Sequence, residues 1–188
     1  MKKLIAIVGM AGSGKSVATD YLESLGFKKI YFGGLTYKLM KEAKIEVTPD
    51  GRSEKEFRES LRQKYGKECY AKLLLPDILT SLEKTDVVLD GLYSWDEYKF
   101  LQDKVGNRLK LIAIIADKNI RYERVAIRKE RPLKKEDVIY RDISEIENLA
   151  KGGPIAFSDY YVLNNGNISD YKKRIGDILN SIEQEGEM

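Results

Sequence analysis

Three short apolar runs carry no polar alternation: Leu4–Val8, Val87-Val88-Leu89 and residues 111–115. Such runs suit strands buried on both faces, as in a parallel sheet. Ile30-Tyr31-Phe32 and Tyr160-Tyr161-Val162-Leu163 supply two weaker candidates. Between the runs the period becomes helical. Val17, Tyr21, Leu22 and Leu25 share one face, and Gly26 stands where a helix stop belongs. Helical patterning also covers roughly residues 54–64, 69–82, 95–104, 119–130, 135–149 and 169–182. Strands alternating with helices predict right-handed crossovers and a layered α/β fold. The stretch 33–85 holds several helices and no convincing strand, so it reads as a helical excursion from the sheet.

Composition narrows the chemistry. A chain of 188 residues with 43% apolar content suits one domain with a real core. The 33 Lys+Arg and 30 Asp+Glu leave a net +3, which provides no dedicated platform for nucleic acid. Histidine is absent and Cys69 is the single cysteine, excluding disulfide scaffolds, zinc fingers and every His-based triad or general base. Catalysis must then use Lys, Arg, Asp, Ser, Thr, backbone amides or a bound metal ion. No apolar run is long enough for an export signal or a spanning helix, so a cytoplasmic protein with no membrane partner is expected.

Gly9-Met10-Ala11-Gly12-Ser13-Gly14-Lys15-Ser16 matches G-x-x-x-x-G-K-[ST] in full, with a buried strand leading in and an amphipathic helix leading out. The glycines let backbone amides turn inward into an anion nest at a helix N-terminus. On this reading Gly9, Ala11, Gly12, Ser13, Gly14, Lys15, Ser16 and Val17 bind the nucleotide, and Lys15 also reaches the β- and γ-phosphates. The Ser16 hydroxyl and Asp90, at the end of the second strong strand, are the expected Mg²⁺ holders. Arg121, Arg124, Arg128 and Arg131 are spaced 3, 4 and 3 apart within one expected helix, ended by Pro132. Two readings stand for that stripe: a mobile flap closing arginines over phosphates, or a solvated basic face partnered by Glu123 and Glu130. A neighbouring phosphate loop favours the flap. Arg124, Arg128, Arg131 and Arg141 on the returning helix are the candidates to act with Lys15 and Asp90 in catalysis.

Together these motifs resemble P-loop small-molecule kinases, in the branch of adenylate kinase and dephospho-CoA kinase. Ser158-Asp159-Tyr160-Tyr161-Val162-Leu163-Asn164-Asn165-Gly166 is similar to the A-D-x-x-I-x-N-x-G segment of dephospho-CoA kinases. Asp90-Gly91-Leu92-Tyr93-Ser94-Trp95 and the Gly152-Gly153-Pro154 stretch, read as a turn, resemble a dephospho-CoA kinase-like group within the branch. The resemblance implies a three-layer α/β/α fold with a five-stranded parallel sheet, ATP and Mg²⁺ as cofactors, and Asn165 among the nucleotide-binding residues. It also implies an acceptor pocket in the helical excursion at 33–85 and a short lid near 128–140, all within one kinase domain. Gly34, Thr36, Lys38, Arg58, Arg62, Gly91 and Tyr93 are the candidate acceptor-binding residues.

The stretch Tyr31-Phe32-Gly33-Gly34-Leu35-Thr36 lacks the family's carboxylates, and Ser94 stands in place of its arginine. A phosphate acceptor is already ionised near neutral pH and needs cations, whereas a hydroxyl acceptor needs a base, for which Asp90 is the candidate. Tyr31, Phe32, Tyr37, Tyr93 and Trp95 are candidates to stack a base. The expected activity is ATP-dependent phosphoryl transfer to a nucleoside monophosphate. The alternatives are a dephospho-CoA-like hydroxyl acceptor and a nucleotide-dependent regulatory switch. For a GTPase switch, Ala116-Asp117-Lys118-Asn119 does not supply N-K-x-D.

Overall fold

Each apolar run becomes a strand in the computed structural model, which describes residues 2–48, 52–129 and 132–185. In chain order the elements are β1 (Leu4–Val8), α1 (Lys15–Ser24), β2 (Lys28–Tyr31), α2 (Phe32–Glu42), α3 (Arg52–Tyr65), α4 (Cys69–Leu82) and β3 (Val87–Asp90). There follow α5 (Trp95–Val105), β4 (Leu109–Ile115), α6 (Lys118–Ile127), α7 (Lys135–Leu149), α8 (Gly152–Ala156), β5 (Tyr160–Leu163) and α9 (Ile168–Glu185). The five strands form one parallel sheet in the order β2-β3-β1-β4-β5.

The two-residue period of a strand divides the core into two layers. Leu4, Ala6, Val8, Val87, Leu89 and Leu111 face α4 and α5, packing on Ile78, Leu74 and Leu101. Ile5, Ile7, Val88, Ile112 and Ile114 face the other way, onto Ala18 and Leu22 of α1 and Ile175 and Leu179 of α9. Each fully buried Leu or Ile contributes roughly 2 kcal/mol by leaving water. By the same period Asp90 shares the face of Val88, so its carboxylate turns towards α1. Helix α1 stops as its sequence requires: the Gly26 amide donates to Glu23 O at 3.0 Å and the Phe27 amide to Leu22 O at 3.2 Å. Gly26 holds φ at +96°, the left-handed residue of a Schellman motif.

Three expectations change. The second strand begins at Lys28 and ends at Tyr31, so Phe32 opens α2 and joins the core. Helix α6 ends at Ile127, and Arg128 is already extended at φ −64° and ψ 144°. The arginine stripe therefore does not share one helix. In a continued helix the Pro132 ring would clash with the residue 128 carbonyl, and the Leu133 amide folds back to Val125 O at 3.4 Å. Gly152-Gly153-Pro154 is not a turn but the start of α8.

Because all strands run parallel, the carboxyl ends of β1, β3 and β4 open on one edge of the sheet. A crevice outside such strand ends is where α/β sheets bind ligands.

Candidate active site

The loop after β1 is an anion cradle. Gly12 and Gly14 hold φ at +78° and +102°, and a Cβ on Gly14 would lie 2.3 Å from Asn164 Nδ2. Both conformation and close approach thus require glycine there. Helix α1 starts at Lys15 with no acidic side chain in its first turn, leaving its amide end uncompensated. Ser13 Oγ is buried without a hydrogen-bond partner. The Lys15 ammonium folds back and donates to Met10 O at 3.0 Å. Its pKa falls to about 7, first through burial and then through Lys151 and Arg141, with Glu145 and Asp90 opposing.

Asp90 stands beside this loop. Thr19 Oγ1 lies 3.1 Å from Ser16 O and 3.2 Å from Asp90 Oδ2, coupling the carboxylate to the first turn of α1. Lys29 Nζ approaches the same Oδ2 at 3.5 Å while binding Asp20 at 2.6 Å. Among the described residues no group of three or more Asp, Glu, Cys or His is placed to hold a metal ion by itself. One carboxylate and one exposed hydroxyl, Asp90 and Ser16, fit Mg²⁺, which takes its remaining oxygens from substrate phosphates and water.

The arginines separate by role. Arg121 is buried, donating 2.6 and 3.3 Å bonds to the two Asp142 oxygens and a 2.7 Å bond to Ala11 O. It braces the phosphate loop against α7. Arg124 donates to Asn164 O at 2.9 Å and lines an open cleft with Gly14, Val17, Gly166, Ile168 and Tyr171. Arg128 lies in the segment between α6 and α7, and Arg131 lies outside the described residues. Arg141 donates its Nε to Glu145 Oε1 at 2.9 Å. Asn164, not Asn165, touches the loop, donating Nδ2 to Ser13 O at 2.8 Å. Asn165 instead accepts from the Asp117 amide at 2.9 Å. Asn164 is also the position that the A-D-x-x-I-x-N-x-G pattern aligns with its asparagine.

The acceptor candidates are unevenly placed. Thr36 is fully buried, 3.0 Å from the Tyr70 hydroxyl, and Gly34 packs under the Tyr31 ring. Lys38 is exposed on α2. Arg58 and Arg62 both act electrostatically on Tyr70, and the Arg62 guanidinium lies 5.5 Å from that ring. Gly91 packs under the Tyr93 ring, and Tyr93 sits within the field of Asp90, Arg141 and Glu145. Of the aromatic candidates, Phe32 is core and Trp95 stacks on Tyr98 at 5.1 Å. Tyr37 donates to Glu54 at 3.3 Å, which leaves Tyr31 and Tyr93 as the pair near the strand ends.

Two features went unread in the sequence. Ser94-Trp95-Asp96-Glu97 is a capping box opening α5: Ser94 Oγ accepts from the Glu97 amide at 3.1 Å, and Glu97 Oε2 accepts from the Tyr93 and Ser94 amides. The S-x-x-E spacing could have shown it. Lys151 had no comparable signal. It is 1% exposed, pairs with Glu145, and lies 5.0 Å from the Tyr93 ring centre. Burial resists ionisation of Glu145, yet Lys151 and Arg141 hold its pKa down at about 2.

Residues 5–149 match the family described as AAA domain. A UPF0200 protein of Sulfurisphaera tokodaii is 34% identical over 184 residues, covering 96% of this chain and 97% of that protein. Dephospho-CoA kinase from Campylobacter jejuni aligns with a TM-score of 0.58 at 19% identity, over 96% of this chain and 97% of the other. Shikimate kinase from Bacteroides thetaiotaomicron aligns with a TM-score of 0.63 at 14% identity, over 95% and 98%. At these identities the structural likeness is one of fold, that of the P-loop small-molecule kinases. The chain belongs to the AAA domain family and groups with the UPF0200 proteins.

Proposed function

We propose that this chain transfers the γ-phosphoryl group of ATP, with Mg²⁺, to a nucleotide-like small molecule, most simply a nucleoside monophosphate. One observation carries this reading. Lys15, Asp90 and, from a single stretch of chain, Arg141, Glu145 and Lys151 come within electrostatic reach beside the phosphate loop. Three are cations around a cradle of amides, which suits a polyanion.

The chain's groups divide the work. The amides of residues 9–16 and the start of α1 hold the β- and γ-phosphates, and Lys15 leaves Met10 O to join them. Asp90 and Ser16, tied together through Thr19, offer the oxygens for Mg²⁺. When bound, Mg²⁺ would supply positive charge that offsets the charge of the phosphate oxygens. Arg124, which lines a cleft with Gly14 and Tyr171, would meet the bound nucleotide there. Arg128 and Arg141 would supply further positive charge, and Arg131, outside the described residues, remains a candidate by its sequence position alone. The acceptor oxygen forms a bond to phosphorus as the bond to the bridging oxygen breaks, and ADP leaves with that electron pair.

Arg58 and Arg62 would hold an acceptor phosphate, with Tyr31 and Tyr93 near its base. A hydroxyl acceptor such as dephospho-CoA is the second reading. It is favoured by Asp90, a carboxylate within the field of Lys15 that could take the hydroxyl proton. A coupled assay of ADP release, run with nucleoside monophosphates and with dephospho-CoA, separates the two. Release that no acceptor stimulates would refute both and favour a regulatory ATPase.

A further inference from the structure

Arg141 is held by Glu145 through its Nε, at 2.9 Å, and among the described residues its two terminal nitrogens make no other hydrogen bond. An arginine paired with a carboxylate presents little net charge to a phosphate. Here the other carboxylate oxygen carries the Lys151 ammonium. Two cations on one carboxylate leave one unit of positive charge, and Lys15 feels both cations as well as the carboxylate.

The backbone is shaped for this placement. Ala150 ends α7 in the left-handed region, at φ 48° and ψ 40°, a conformation costing a residue with a Cβ about 1 kcal/mol. The Lys151 amide then returns to Glu145 O at 3.2 Å, and its side chain runs inward beneath Tyr93. At 1% exposure the ammonium does not reach a ligand directly. Among the described residues it hydrogen-bonds a single protein group although it has three donors.

We propose that Lys151 is a charge-balancing residue: it neutralises Glu145 so that Glu145 can orient Arg141 without cancelling the arginine's charge at the transferred phosphoryl group. This rests on the phosphoryl-transfer reading. Lys151 is thus a positioning residue acting through Glu145 and Arg141.

The test is calorimetric titration of the full chain with Mg·ATP and with Mg·ADP. Lys151→Met removes the charge and keeps the length of the side chain. ATP affinity should fall about tenfold, with ADP affinity nearly unchanged, because one charge is lost near the γ-phosphate. Adding Glu145→Gln to that variant restores the net charge, and ATP affinity should recover to within about threefold of wild type. A strut with only a structural role would make the double variant no better than the single one, and that result overturns the inference. If Lys151→Met does not fold, Lys151→Gln, which keeps a polar partner for Glu145 without the charge, takes its place and must bind ATP about tenfold more weakly than wild type. Equal affinities overturn the inference. A wild-type chain binding neither nucleotide removes the phosphoryl-transfer reading itself. Binding with an unmoved ratio in Lys151→Met removes only the charge balance.

Discussion

Replacing Glu97 with glutamine should stabilise the chain at pH 8 and leave it unchanged or weaker at pH 5. Glu97 is fully buried at the start of α5, where Oε2 accepts from the Tyr93 amide at 2.8 Å and the Ser94 amide at 3.1 Å. Its Oε1 is buried with no partner. Burial lifts the pKa from 4.5 to about 7, with Arg62 and the two amides opposing the rise. Between those two values the folded chain holds a proton that the unfolded chain has lost, so stability falls as pH rises through that window. Above about pH 7 the penalty is complete, and the displacement sets its ceiling at about 3 kcal/mol. Glutamine keeps the volume and the oxygen that accepts both amides. Its amide nitrogen takes the unpartnered position in the field of Arg62, costing about 1 kcal/mol. The expected net gain at pH 8 is therefore about 1–2 kcal/mol, with none at pH 5. Urea unfolding of both proteins at the two pH values measures it. A variant whose stability relative to wild type is the same at pH 5 and pH 8 would refute a burdened carboxylate at this site.

Three further outcomes follow from named contacts. Arg121→Met leaves Asp142 buried beneath the phosphate loop without its cation, and denaturant melts should show a loss of about 3–5 kcal/mol. Asn164→Ala removes the bond to Ser13 O while the Arg124 bond to the residue 164 carbonyl remains. It should cost about 1–2 kcal/mol of stability and weaken ATP in a fluorescence titration, where unchanged affinity would detach Asn164 from the nucleotide site. Glu145 is held at about 2, below its unfolded value of 4.5. Its contribution is complete above about pH 4.5 and lost as pH falls towards 2, so acid melting should steepen there and flatten in Glu145→Gln.

The sheet was legible because a parallel sheet buries both faces and leaves unbroken apolar runs: Leu4–Val8 was read to the residue. The phosphate loop was legible because its backbone geometry requires glycine at fixed positions. The arginine stripe was misread because spacing reports a helix face only while the helix continues, and α6 ends at Ile127. Arg121 and Arg124 then serve the loop and the cleft, not one shared face. Asn164 was missed by one residue although the A-D-x-x-I-x-N-x-G pattern aligns its asparagine there, and the fold shows that this is the one of the two that turns inward. Lys151 was invisible for a deeper reason. Its placement depends on a left-handed alanine and on a carboxylate six residues earlier, and neither has a local signature. The acceptor candidates lie on α2, α3 and the β3–α5 junction, distant in sequence, so residue type alone could not rank Lys38 against Arg62.

The most direct test follows the γ-phosphorus itself. Wild-type chain and Lys15→Ala are incubated with γ-labelled ATP, Mg²⁺ and a set of nucleoside monophosphates and dephospho-CoA. Label should pass to an acceptor with the wild type and to none with Lys15→Ala, although both melt as folded proteins. Label released only as inorganic phosphate, or transferred equally by Lys15→Ala, would contradict phosphoryl transfer at this loop.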